Sequence, residues 1–209
     1  AVGHAAVIAA GPWLFTIVTL AAITLSLDRV VELGTLAAFR IVIIYAFASS
    51  LVVTAPITIV ATRLVADALW LKNPQAVRPL LFAAFAAALC ATALASAFLI
   101  AFFRPPAAIA VTLAAGSMIV GLIWVVISFC GAVRDYRGVT YSFFFGLLVS
   151  TLSGMAAGIA GYGAAGIAAG FLLGLLVTFL GLTSRVLATF PQPLTDPMAG
   201  LRQLVYGTA

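Results

Sequence analysis

Six long apolar runs, separated by short polar gaps, make up almost the whole chain. They cover about residues 5–27, 36–61, 80–103, 107–133, 139–160 and 164–184. About 20 residues of α-helix cross the ~30 Å hydrocarbon core of a bilayer, and each run reaches that length. The runs are continuously apolar and lack the alternation of barrel strands. The pattern therefore predicts six transmembrane α-helices.

Composition strengthens this prediction. Of the 209 residues, 65% are hydrophobic and 7% are charged, which leaves little sequence for a water-soluble core. We therefore expect an all-α, multi-pass membrane protein.

The net charge of +5 indicates orientation rather than nucleic-acid binding, because the basic residues form no cluster that could follow a phosphate backbone. If the first helix runs outward, seven of the ten basic residues lie on the inner side: Arg63, Lys72, Arg78, Arg134, Arg137, Arg185 and Arg202. The other three lie on the outer side: Arg29, Arg40 and Arg104. The positive-inside rule then predicts that both ends of the chain lie in the cytoplasm.

Two of the predicted helices contain proline. The first carries Gly11, Pro12 and Trp13 near its start, and the second carries Pro56 in its inner half. Proline removes a backbone donor and kinks a helix. Each break is either a packing kink or a hinge beside a cavity, and the residues alone leave both open.

The same two helices are rich in hydroxyl groups. These are Thr16, Thr19, Thr24, Ser49, Ser50, Thr54, Thr58 and Thr62. Such groups either hydrate a transport cavity or bond to the backbone of their own helix. Both alternatives remain open at this point.

Helix 2 has no stop signal before the segment Lys72-Asn73-Pro74, so it is predicted to extend beyond the membrane. Arg63 and Asp67 are four residues apart in this extension, share a helix face and can pair. Together with Arg40, near the outer start of helix 2, they are the candidate contacts for a transported substrate or a partner.

Glycines recur every four residues in the last two runs, at positions 154 and 158 and at 166, 170 and 174. Small residues at this spacing allow helices to approach closely in lipid. The pattern favours packing of helix 5 on helix 6 within one chain, with dimerisation as the alternative.

Enzymes and channels fit the residues poorly. His4 is the only histidine, no carboxylate lies within a span, and no catalytic residue, metal ligand set or cofactor is predicted. The segment Gly161-Tyr162-Gly163 lacks the pore helix that a potassium filter requires and is predicted to be a glycine turn. Proline-interrupted helices are typical of transporters.

Several segments resemble the PelG-type membrane subunits of bacterial Pel exopolysaccharide export. They are Ala10–Leu14, Val53–Pro56, Ala61–Asp67, Met118–Val133 and Phe190–Pro193. Ala55 stands where the family pattern has glycine. The resemblance covers the whole chain but only the first half of such a subunit.

The resemblance implies the multidrug/oligosaccharidyl-lipid/polysaccharide flippase fold, with six helices in each of two lobes around a cavity. Residues 1–187 would form one lobe, and residues 188–209 would be a cytoplasmic linker toward the second. The implied cargo is an amino-sugar polysaccharide. The implied partners are membrane lipid, a cytoplasmic glycosyltransferase and accessory Pel-type membrane subunits. The alternatives are a non-transporting scaffold for the glycosyltransferase and another lipid-oligosaccharide flippase of this superfamily.

Overall fold

The computed structural model describes residues 16–133 and 136–191, and this part of the chain is helical without strands. The helices are α1 Thr16–Leu27, α2 Leu33–Trp70, α3 Val77–Phe103, α4 Ala107–Val133, α5 Tyr136–Ile159 and α6 Gly163–Thr189, with a 3-10 turn at Pro74–Ala76. The five helices from α2 to α6 are long and apolar enough to cross a membrane. The prediction of an all-α membrane protein with six helices is confirmed.

Helices that follow one another run in opposite directions. One end of the bundle, which we call the basal end, contains the ends of α2, α4 and α6 and the starts of α3 and α5. There the Arg78 guanidinium at the start of α3 donates a hydrogen bond to the Pro191 carbonyl just after α6, at 3.3 Å. This contact joins the third helix to the last one.

Helix α2 is much longer than a bilayer core requires. Its 38 residues extend over about 57 Å. Lys72, with a φ of 55°, reverses the chain just after the helix, and the Asn73 amide donates to the Ala68 carbonyl at 2.9 Å. The predicted length of helix 2 and its end near Lys72 are confirmed, and its extension beyond the membrane stays a prediction.

Helices α5 and α6 approach each other closely along a line that we call the glycine seam, formed by Ser150 and Ser153 on α5 and Gly170 and Gly174 on α6. A Cβ atom on Gly174 would overlap Ser150, and one on Gly170 would lie 2.6 Å from the Ser153 carbonyl oxygen. Two hydroxyls reach across the seam. Ser150 donates to the Phe171 carbonyl at 2.7 Å, and Ser153 Oγ lies 2.6 Å from the Gly170 carbonyl of α6 and 2.6 Å from the Val149 carbonyl of its own helix. The predicted packing of helix 5 on helix 6 is confirmed for glycines 170 and 174.

The other glycines of that pattern have different neighbours. Gly158 lies against Leu27 of α1, and Gly154 lies between Ile23 of α1 and the Ile167 carbonyl of α6. The expected stripe on α5 is thus shared between two partner helices. The connection to α6 is a glycine turn, as predicted, with φ values of 79° at Gly161 and 66° at Gly163, a region that glycine adopts without strain.

Helices α2, α3 and α4 meet differently, through the methyl groups of two threonines. A Cβ atom on Gly121 of α4 would lie 2.6 Å from Thr92 Cγ2 and 3.3 Å from Thr54 Cγ2. Both threonines are fully buried. Their hydroxyls bond within their own helices, to the carbonyls of Ser50 and Ala88, each at 2.7 Å. We call this contact the threonine junction.

Candidate functional site

The hydroxyl groups of α1 and α2 mostly bond to the backbone of their own helix. This holds for Thr24, Ser49, Ser50, Thr54, Thr58 and Thr62, whose acceptors lie three or four residues earlier. Thr54 and Ser50 are also fully buried between helices. For these residues, the structure shows bonding to the backbone of their own helix.

One part of α2 lines a groove at the surface of the bundle. A groove of about 420 Å³ lies between α2 and α4 near the basal end. We call it the basal groove, and its lining residues are Thr58, Ile59, Thr62, Arg63, Ala66 and Ser128. Sequence analysis singled out Arg63 and the two threonines, but not Ser128.

The basal groove presents both donors and acceptors. The hydroxyls donate to backbone carbonyls: Thr58 to Ala55 at 2.8 Å, Thr62 to Thr58 at 2.7 Å and Ser128 to Trp124 at 3.1 Å. A hydroxyl that donates still offers lone pairs as acceptors. The exposed Arg63 guanidinium adds several donors. This set suits a ligand rich in hydroxyl groups.

Arg63 and Asp67 occupy neighbouring turns at the basal end of α2, but they do not pair. Among the residues that the structure describes, no hydrogen bond or ion pair joins their side chains. Arg63 is exposed and Asp67 is half-buried. Both charges are therefore available to a ligand or a partner.

Arg40 belongs to another region. It is exposed near the opposite end of α2 and lies 23 residues from Arg63, which is about 35 Å along a helix. The three predicted contact residues therefore do not form one site.

Of the predicted helix breaks, Pro56 lies inside α2, seven residues before Arg63. It cannot donate to the carbonyl one turn earlier, which weakens the helix close to the basal groove. Gly11, Pro12 and Trp13 lie outside the described residues, so their predicted role stays a prediction.

Comparison with known families identifies the chain. Residues 1–204 match the sequence model of the PelG family, described as "Putative exopolysaccharide Exporter (EPS-E)". The chain belongs to this family. No curated protein and no solved structure matches it. The resemblance drawn from the sequence is confirmed, and PelG membership with several membrane-length helices makes this a multi-pass membrane protein of exopolysaccharide export.

In this member of the PelG family, the basal groove lies near the end of the long helix α2 and combines a charged side chain with several hydroxyl-bearing ones. Its α4 wall was missed from sequence because Ser128 stands in an uninterrupted apolar run. Only the packing of α4 against α2 brings Ser128 next to Thr58 and Thr62.

Proposed function

We propose that the chain forms one lobe of an inner-membrane exporter that moves a Pel-type amino-sugar polysaccharide out of the cytoplasm. In this proposal the basal end faces the cytoplasm and residues 188–209 lead toward a second lobe. Family membership supports export of a polysaccharide, and the excess of basic residues on the basal side supports the orientation. The observation that carries the proposal is the basal groove beside the extension of α2.

The groove has the chemistry of a carbohydrate contact. A sugar chain carries hydroxyl groups that accept from a guanidinium and donate to the free lone pairs of Thr58 and Ser128. Asp67 lies one turn beyond Arg63, and its carboxylate suits the protonated amine of an amino sugar. The polymer would pass these side chains as it enters the exporter.

The end of α2 also offers a contact surface for a cytoplasmic glycosyltransferase. Trp70 is 86% exposed and Leu71 is 69% exposed at this end. Aromatic residues are enriched at protein interfaces, and this position would place the synthase next to the basal groove. Accessory membrane subunits would complete the assembly. The same two residues support the second candidate function, a scaffold that recruits the synthase without moving polymer.

Alanine substitution of Arg63 and of Asp67 tests the proposed polymer contact. Each change removes one charge-assisted interaction, worth about 1.5–3 kcal/mol, so we expect polymer secretion to fall about tenfold or more at equal protein level. Arg104→Ala is the matched control because it removes an exposed arginine between α3 and α4, at the opposite end. Normal secretion in both the Arg63 and Asp67 variants would refute the proposed contact. Arg40→Ala tests the predicted contact at the opposite end of α2 in the same assay.

A further inference from the structure

A second groove opens at the basal end, between α5 and α6. It has a volume of about 510 Å³, and we call it the α5–α6 groove. Its lining residues are Tyr141, Ser142, Phe145, Val177, Gly181, Ser184 and Arg185. It lies on different helices from the basal groove, so it is a separate site.

Arg185 supplies the charge of this groove. It is exposed, four residues before the end of α6. Within residues 16–133 and 136–191, its guanidinium makes no hydrogen bond or ion pair with a protein group. An anionic ligand in the groove would neutralise this charge.

The groove changes from polar to apolar along its length. On α6, Arg185, Gly181 and Val177 follow one another at intervals of about 6 Å toward the middle of the bundle. Polar groups of Ser142 and Ser184 flank the charged end, whereas Phe145 and Val177 form the inner end and are 56% and 40% exposed.

Gly181 keeps the floor of the groove open. A Cβ atom there would lie 2.8 Å from Ser142 Oγ, so a larger residue would fill the space between the two helices. Beyond the groove the same face stays apolar, with Leu148 46% and Leu173 56% exposed. The surface thus offers a cation at the end of the helices and an apolar track leading toward the membrane centre.

We propose that the α5–α6 groove binds an anionic phospholipid of the leaflet at the basal end, with its phosphate at Arg185 and an acyl chain along Phe145 and Val177. Basic pockets between transmembrane helices are a recurring type of site for anionic head groups. The order of charge, hydroxyls and apolar surface along the groove matches the order of phosphate, glycerol and acyl chain. A protein segment in this position would have to supply an acidic residue at the same depth.

Native mass spectrometry of the full-length protein, purified and delipidated in detergent, tests this assignment. Phosphatidylglycerol and phosphatidylcholine are added separately at equal concentration. We expect the wild type to retain about fivefold more phosphatidylglycerol, the effect of one arginine near an anionic head group. Arg185→Gln should abolish this preference, while Arg185→Lys should keep it.

Two further variants distinguish the site from general effects. Arg29→Gln removes an exposed arginine in the connection between α1 and α2 and should leave the preference intact. Val177→Trp should block the acyl track and lower retention of both lipids. The proposal is overturned if the wild type shows no preference, if Arg185→Gln matches the wild type, or if Arg29→Gln loses as much binding as Arg185→Gln. It is also overturned if delipidated protein forms a dimer that Val177→Trp disrupts and no lipid is retained.

Discussion

The glycine seam and the threonine junction both contain buried hydroxyl-bearing residues, but these residues make different contacts. At the seam, Ser150 donates to a backbone carbonyl of the facing helix, and Ser153 Oγ lies within bonding distance of one carbonyl of the facing helix and one of its own. At the junction, Thr54 and Thr92 donate to carbonyls of their own helices and meet Gly121 through methyl groups. Ser150 and Ser153 reach the facing backbone beside Gly170 and Gly174, where α5 and α6 approach closely. The two regions therefore differ in whether these buried hydroxyls bond across to a second helix.

The α5–α6 pair and the α2–α4 pair are joined by different contacts. The α5–α6 pair is held by backbone contact and by two short hydrogen bonds between helices. Across α2 and α4, the Ser49 and Ser117 hydroxyls form a longer hydrogen bond, at 3.3 Å. The basal groove lies between α2 and α4, close to Pro56. We infer that movement during export occurs at α2 rather than at the seam.

Addition of a single methyl group at the seam should have the largest effect on stability. Gly174→Ala places a Cβ atom where Ser150 lies, and forcing atoms into a packed contact costs about 1–3 kcal/mol. Gly131→Ala in α4 is the matched control because nothing lies within 4 Å of its added Cβ atom. Denaturant unfolding of both variants in detergent measures the difference. Equal stability of the two variants would show that the seam is not tightly packed.

Removal of the break in α2 should stabilise the protein and slow export. Pro56→Ala allows one more backbone hydrogen bond in α2, worth about 0.5–1.5 kcal/mol, at the cost of the flexibility that we assign to this helix. Pro106→Ala, in the turn before α4, is the control and should not alter the export rate. Secretion per exporter and unfolding in detergent are the two measurements. An unchanged export rate in Pro56→Ala would exclude a role for this break.

The smallest expected effect is the loss of one hydroxyl from each region. Ser150→Ala removes a hydrogen bond between helices, and such bonds in membrane proteins average about 0.6 kcal/mol. Ser96→Ala in α3 removes a hydroxyl that is equally buried but bonds to Thr92 and Ala93 of its own helix. We expect little change in stability for Ser96→Ala, because those carbonyls still accept the backbone hydrogen bonds of α3. A larger loss for Ser96→Ala than for Ser150→Ala would reverse the comparison.

The helices could be predicted from sequence because membrane-length apolar runs specify helices without regard to what packs against them. The pairing of α5 with α6 could be predicted because only small residues recur on that face of α6. An added Cβ atom on Gly146 would overlap Thr178 of α6. Sequence reasoning missed Gly146 because Ser150 interrupts the four-residue spacing of glycines on α5. Including Ser150 as a small residue extends that stripe back to Gly146.

The candidate sites were less accessible to sequence reasoning. Arg63 stood out as a charge where a helix leaves the apolar run, but Ser128 became visible only through the packing of α4 on α2. The expected pair with Asp67 does not form, because correct spacing on a helix permits a contact without requiring it. In the sequence, Arg185 indicated only which side of the membrane its end of helix 6 faces. Its position above an apolar groove depends on how α5 packs against α6.

The proposed export is tested most directly in vesicles whose membrane contains the full-length protein. The proposed glycosyltransferase partner and the nucleotide-sugar precursor are supplied on the outside. The proposal predicts that the polymer accumulates inside the vesicles, protected from an added glycosidase, and that Arg63→Ala greatly reduces the protected fraction. If the wild-type protein supports synthesis while all of the polymer remains open to the glycosidase, the chain is a scaffold and the account of polymer passage is wrong.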